Sequence, residues 1–225
     1  MVVSIIAIEA VVCGMASAPV LLYWLWLVDA TANSTLAVRV VVFSVSLIPS
    51  YTLFALCLMA FSVAAARTTG MQTPSRVEMQ IADFDWPVLA WARSMAAIHV
   101  VRVFAGTLFR GSPIWTAYLR LNGARIGRRV YVNTTSISDH NLLEFGDDVV
   151  IGADVHISGH TVERGLVKTA PVRLGHRVTI GLGSIIDIDV EVGDDCQVGA
   201  ISLVPKHTKL EAGSVYAGIP VKRIA

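Results

Sequence analysis

The chain has 225 residues, of which 54% are hydrophobic and 16% charged, with a net charge of +1. That apolar balance excludes an ordinary soluble domain, and the near-neutral charge removes any electrostatic case for nucleic acid binding. Cys13, Cys57 and Cys196 are isolated and lack CxxC spacing, so neither a disulfide framework nor a zinc site is expected.

The first apolar run, residues 10–28, ends in Tyr23, Trp24 and Trp26, rings that suit a membrane interface. A helix over about 2–28 is expected, with Glu9 just before its apolar stretch. Ala16-Ser17-Ala18 has the small-residue look of a cleavage site. The start carries no Lys or Arg, however, and Pro19 would follow the cut, so the helix is expected to be retained. Residues 40–66 are twenty-seven positions without a charge between Arg39 and Arg67. About twenty apolar residues cross a bilayer core, so this is a second span, with Pro49 as an expected kink.

Residues 1–66 therefore read as a transmembrane hairpin. The arginines that follow, from Arg67 to Arg110, put the rest of the chain on the cytoplasmic side of an inner membrane. Residues 67–123 read as a helical connector. Within it, 83–109 mixes Trp86, Trp91 and Phe104 with Arg93, His99 and Arg102. That is too interrupted for a third span; a helix lying on the membrane surface is expected, with a packed helix of the soluble domain as the open alternative. Ser112, Pro113 and Gly123 mark the cap, first position and end of a short helix.

From residue 124 to 225 the chain counts in sixes. Ile126 and Val132, then Phe145, Ile151 and Ile157, then Leu174, Ile180, Ile186, Val192, Val198, Val204 and Leu210 form one column. Four residues after each stands a small or β-branched residue, among them Val149, Val155, Val178, Ser184, Val190 and Cys196. Glycine often follows the aliphatic residue, where a corner that takes positive φ is expected. A period of six fits a short strand and a tight corner, with both columns inward and successive coils sharing one core. Between Ile157 and Leu174 the count stops, and residues 158–173 are expected to leave the surface as a loop carrying His160, Glu163, Arg164 and Lys168.

The repeat and the closing AGIPVKRI (Ala217 to Ile224) resemble the hexapeptide-repeat acyltransferases. YLRLNGARIGRRVYV and the pattern His160, Glu163, Arg164, Lys168 are similar to the membrane-attached terminal domains of peptide synthetases of the ε-poly-lysine type. The resemblance spans about residues 112–225. It implies an all-β left-handed parallel β-helix, here preceded by the transmembrane hairpin and connector helices, and a homotrimer with sites at the contacts.

It also implies His160 as general base for acyl transfer from a pantetheine thioester, acyl-CoA or a carrier-protein phosphopantetheine, to a hydroxyl or amine. An imidazole suits that task near neutral pH. Glu163 can orient the imidazole or hold a cationic acceptor, and Arg164 and Lys168 can meet an anionic group. The donor arm is expected along Gly181, Gly199 and Ala200, with its phosphates near Lys206, Lys222 and Arg223. The sugar-binding Asn and Asp of the family have no clear equivalent; Asp139 and His140 stand near the Asp position and can line the pocket or simply form a turn. A lipid-linked saccharide, a lipid or a growing peptide are all open as acceptors, and no metal is expected. The rivals are peptide-bond formation with a carrier-bound aminoacyl donor, a silent assembly domain, and a zinc hydratase needing three histidines.

Overall fold

The computed structural model describes residues 2–70 and 72–225. Helix α1 (Val2–Ala30) and helix α2 (Leu36–Thr69) pack side by side. Both are longer than expected. Helix α2 begins at Leu36, not near 40, because the Thr35 side chain caps it by accepting from Val38 N, which draws Arg39 into the helix. It ends at Gly70 (φ 66), whose N–H donates to Ala66 O. Arg67 then ties the helix end to the Leu121 carbonyl through Nε (3.2 Å) and Nη2 (2.9 Å).

The connector contains helix α3 (Trp86–Val101), capped by Asp85, and a π-helix (Arg102–Gly106) that runs on to Phe109. Trp86–Phe109 is long and apolar enough to cross a membrane, as are α1 and α2, so three helices qualify by length and composition where two were expected. The arginines that interrupt this segment do not break the helix. Arg93 lies over the Trp86 ring at 5.4 Å and donates to Ser4 of α1. Tyr51 of α2 donates to the Phe104 carbonyl.

The coil is built as the sixes require. Short parallel strands form three sheets, and partners in the second half are 18 residues apart: Thr179 with Gln197, Ile185 with Leu203, Glu191 with Lys209. Three sixes therefore close one turn. The aliphatic column is inside, with Ile151, Ile157, Ile180, Ile186 and Val204 at 0% exposure. So is the small column, with Val155, Val178, Ser184 and Cys196. Cys196 packs there as a small apolar residue, its thiol pointing to the Glu211 carbonyl.

The expected reason for the glycines is corrected. Positive φ falls three residues after the aliphatic column, at Asp148, Asp154, Arg177, Gly183, Asp189, Asp195, Ile201, His207 and Gly213. Aspartate and glycine tolerate that region best, which suits the corner. The glycine directly after the aliphatic residue answers a different need. A Cβ on Gly181 would sit 2.5 Å from Ala200 N, so the next coil's backbone leaves no room for a side chain.

Residues 158–173 are not an open loop. His160–Glu163 and Leu166–Thr169 pair antiparallel, and Glu78–Gln80 adds a third strand beside Leu166–Thr169. Val162, Val167 and Met79 stand opposite one another across that small sheet, and Met79 and Val167 are buried. Strand partners on either side of the insertion are 29 residues apart, as in Val150 with Thr179, so the hairpin is extruded between coils that stay in register.

Candidate functional site

The count of six fails twice, and the two failures meet. Val132 and Phe145 are thirteen residues apart rather than twelve. The extra residue is absorbed by Asp139 in the left-handed region (φ 50) and a 3-10 turn over His140–Leu142. The turn sends the Asp139 carboxylate inward, at 0% exposure. The second failure brings His160 back over it. Gly159 permits the approach, since a Cβ there would stand 2.8 Å from Asp139 Cβ, and its N–H donates to Asp139 Oδ2 at 3.1 Å.

His160 Nδ1 and Asp139 Oδ2 are 2.6 Å apart. The carboxylate also accepts from Ser138 Oγ at Oδ2 (2.9 Å) and from Thr73 Oγ1 at Oδ1 (2.8 Å). Four donors satisfy a carboxylate that water cannot reach. With Nδ1–H donated to Asp139, Nε2 is the nitrogen left with a lone pair. The His160 side chain is 23% exposed, so the ring is held from behind and open in front. Ser158 Oγ donates to the His160 carbonyl (2.7 Å), and the Trp91 ring of α3 meets the imidazole edge-on with centroids 5.2 Å apart. On the adjacent coil strand, partial desolvation and, second, the nearby His160 hold the His156 imidazole below its ordinary pKa. Such a set can take a proton from a hydroxyl or amine brought to Nε2.

The other expected site residues are placed differently. Glu163 does not orient His160. Its carboxylate pairs with Lys206, which holds it below the usual carboxylate range, so both are engaged with each other. Asp139 does not line an open pocket; it is the group behind the histidine. His140 is also sealed, at 1% exposure and edge-on to Tyr118. Neither of its ring nitrogens makes a hydrogen bond of normal geometry. Burial pushes its pKa down to about 4, against the opposing pull of Asp139 and the Ile137 backbone.

Lys168 bridges to Glu78 across the small sheet (3.3 Å), and Arg164 occupies the hairpin turn with φ 51. The N–H groups of Gly181 and Gly199 donate to Val198 O and Tyr216 O in the ladder, so they are not free for a donor arm; Ala200 is exposed on the corner between them. Arg223 pairs with Glu211 (2.9 Å), while Lys222 is exposed beside it on the last strand. Sequence reasoning missed Thr73, Ser158 and Trp91, which lie outside any repeat. The pairing of Asp139 with His160 did have a signal, the thirteen-residue step. Among the described residues no group of three or more His, Cys, Asp or Glu side chains is placed to hold a metal ion.

No family model matches the chain. The chain is 32% identical over 120 positions to the galactoside O-acetyltransferase of Escherichia coli, covering 50% of this chain and 57% of that one. It is 30% identical over 111 positions to the delta-poly-L-ornithine synthetase of Acinetobacter baumannii, covering 49% of this chain and 8% of that one. About half of the chain is thus similar to hexapeptide-repeat acyltransferases. The chain spans little more than half of the acetyltransferase and a small part of the synthetase. Among solved structures, a maltose O-acetyltransferase from Clostridium difficile superposes with a TM-score of 0.48 at 18% identity, over 68% of this chain and 97% of that one.

Proposed function

We propose that the chain is a membrane-anchored acyltransferase that moves an acyl group, acetyl in the first instance, from a pantetheine thioester to a hydroxyl or amine. The observation that carries this reading is the contact between His160 Nδ1 and the buried Asp139 carboxylate. His160 Nε2 takes the proton as the acceptor oxygen or nitrogen attacks the thioester carbonyl. The tetrahedral intermediate collapses with cleavage of the C–S bond, and the proton passes from Nε2 to the departing sulfur, giving a free thiol. Asp139 keeps the imidazole in the tautomer that can accept, and balances the imidazolium while it lasts.

The acyl donor is acyl-CoA, in keeping with the acetyltransferases among the relatives. The coil winds left-handed, and three copies assemble with their sites at the contacts. An exposed apolar set on the coil, Leu182, Ile185, Ile201 and Ile219, supports that assembly. Ile185 is paired with His156, so this set begins beside the candidate site. Another sheet carries Arg125, Glu144, Arg173, Glu191 and Lys209 as an alternating ion ladder, a face suited to water. The α1–α2 hairpin anchors the protein in the inner membrane with the coil in the cytoplasm.

The synthetase similarity favours one second reading, in which the donor is an aminoacyl group on a carrier protein and the product is a peptide bond. One experiment addresses both. Thiol release is followed in membranes holding the full chain, with acetyl-CoA or an aminoacyl carrier protein as donor and a panel of hydroxyl and amine acceptors. Acceptor-dependent release that His160→Ala abolishes supports the enzyme, and the preferred donor chooses between the readings. Release unaffected by His160→Ala sinks the proposal.

A further inference from the structure

Residues 72–80 form a strap between the membrane hairpin and α3, and the strap reaches the site. Thr73 is 2% exposed, and its backbone is clamped from both sides by Asn141: Thr73 N donates to Asn141 Oδ1 (3.2 Å) and Asn141 Nδ2 donates to Thr73 O (2.8 Å). Farther along, Thr169 Oγ1 donates to Pro74 O (2.6 Å), Thr169 N donates to Val77 O (3.0 Å), and Glu78–Gln80 joins the hairpin sheet. The strap is therefore docked without help from the Thr73 hydroxyl. That hydroxyl instead donates to Asp139 Oδ1. Ser138, Gly159 and His160 all bind the other oxygen, Oδ2.

We propose that Thr73 is a positioning residue of the site: its hydroxyl fixes the rotation of the Asp139 carboxyl so that Oδ2 faces His160 Nδ1. A carboxylate bound at one oxygen only can turn about its Cβ–Cγ bond, and the imidazole turns with it. The bonds at Oδ2 resist that turn, and the hydroxyl bond to Oδ1 adds the restraint on the opposite oxygen. The segment leaving the membrane thereby sets the geometry of a group in the coil. This inference rests on the acyl-transfer reading only for its rate consequence; the hydrogen-bond consequence stands apart from it.

The test uses the full chain in detergent, with ¹⁵N-histidine labelling, and compares Thr73→Val, Thr73→Ser, Thr169→Val and His160→Ala. The downfield Nδ1 proton resonance of His160 is identified by its loss in His160→Ala. Thr73→Val, which keeps volume and the backbone clamp, is expected to shift or broaden that resonance. It is also expected to lower kcat with acetyl-CoA about ten- to a hundredfold, the range seen for outer partners that orient a working group, with KM for the donor unchanged. Thr73→Ser restores both. Thr169→Val loosens the strap and lowers Tm while leaving the resonance and kcat in place. If Thr73→Val leaves the resonance unmoved, or if Thr169→Val reproduces its effects, the inference is wrong. If the resonance responds as expected but no variant, wild type included, transfers an acyl group, the positioning role holds and the acyltransferase reading fails.

Discussion

The coil has two halves that obey different rules. From Leu174 to Val215 strands pair with one another 18 residues apart, the inner columns are filled by aliphatic and small residues, and the outer ions pair across the ladder. Between Val132 and Val172 the spacing slips twice, polar groups enter the interior, and helix α3 and the strap press against the gap. The regular half shows what a six-residue period achieves by itself, a wall of stacked coils in strict register. In the irregular half the period fails, and there a turn aims the Asp139 carboxylate inward with His160 over it.

Two substitutions bracket that contrast and have the largest expected effects. His160→Ala is expected to lower the acyl-transfer rate roughly 10²–10⁴-fold, the contribution of a positioned general base, with only the small drop in Tm that losing one of four donors to Asp139 brings. Ile180→Ala, at the fully buried centre of the regular half, is expected to do the reverse. It removes about 2–5 kcal/mol of stability while leaving the kcat of the folded protein alone. Rate and melting measurements on both variants, in one detergent, would break the comparison if Ile180→Ala slowed turnover or His160→Ala unfolded the chain.

A pH effect comes next. His140 is buried neutral with a pKa pushed down to about 4, against an unfolded value near 6.5. As pH falls from about 6.5 toward 4, the unfolded chain binds a proton there and the folded chain does not. Stability present above pH 6.5 is therefore lost through that window, by about 3 kcal/mol at most. Denaturation midpoints at pH 7 and pH 5 should converge in His140→Leu relative to wild type, and an unchanged pH dependence would show that the sealed turn is not its source.

The smallest effect is expected at Glu163. Its pair with Lys206 is only half-buried, so Glu163→Gln should leave global stability nearly untouched and chiefly speed amide exchange within residues 160–169. Faster exchange in the regular half as well would mean the hairpin and coil are not separable units.

Much of this was legible beforehand. The two long apolar helices α1 and α2 follow from uncharged length, and the coil from two columns in phase, because a long apolar helix and a stacked coil each impose a local rule on every residue. The glycine column was legible but its cause was not: residue identity does not distinguish a left-handed φ from a close backbone approach, and the structure places the two needs three residues apart. The hairpin at 160–169 was hidden because its strands are short and its third strand comes from residues 78–80, far along the chain.

The sequence by itself determined where the rhythm stops and which imidazole stands at the stop. The tertiary structure alone decided what that imidazole touches. Asp139, His160, Thr73 and Trp91 come from four segments with no shared period, and their meeting depends on how the strap and α3 dock on the coil. A repeat constrains neighbours one turn apart; contacts between segments outside it are set by packing, which no local pattern records.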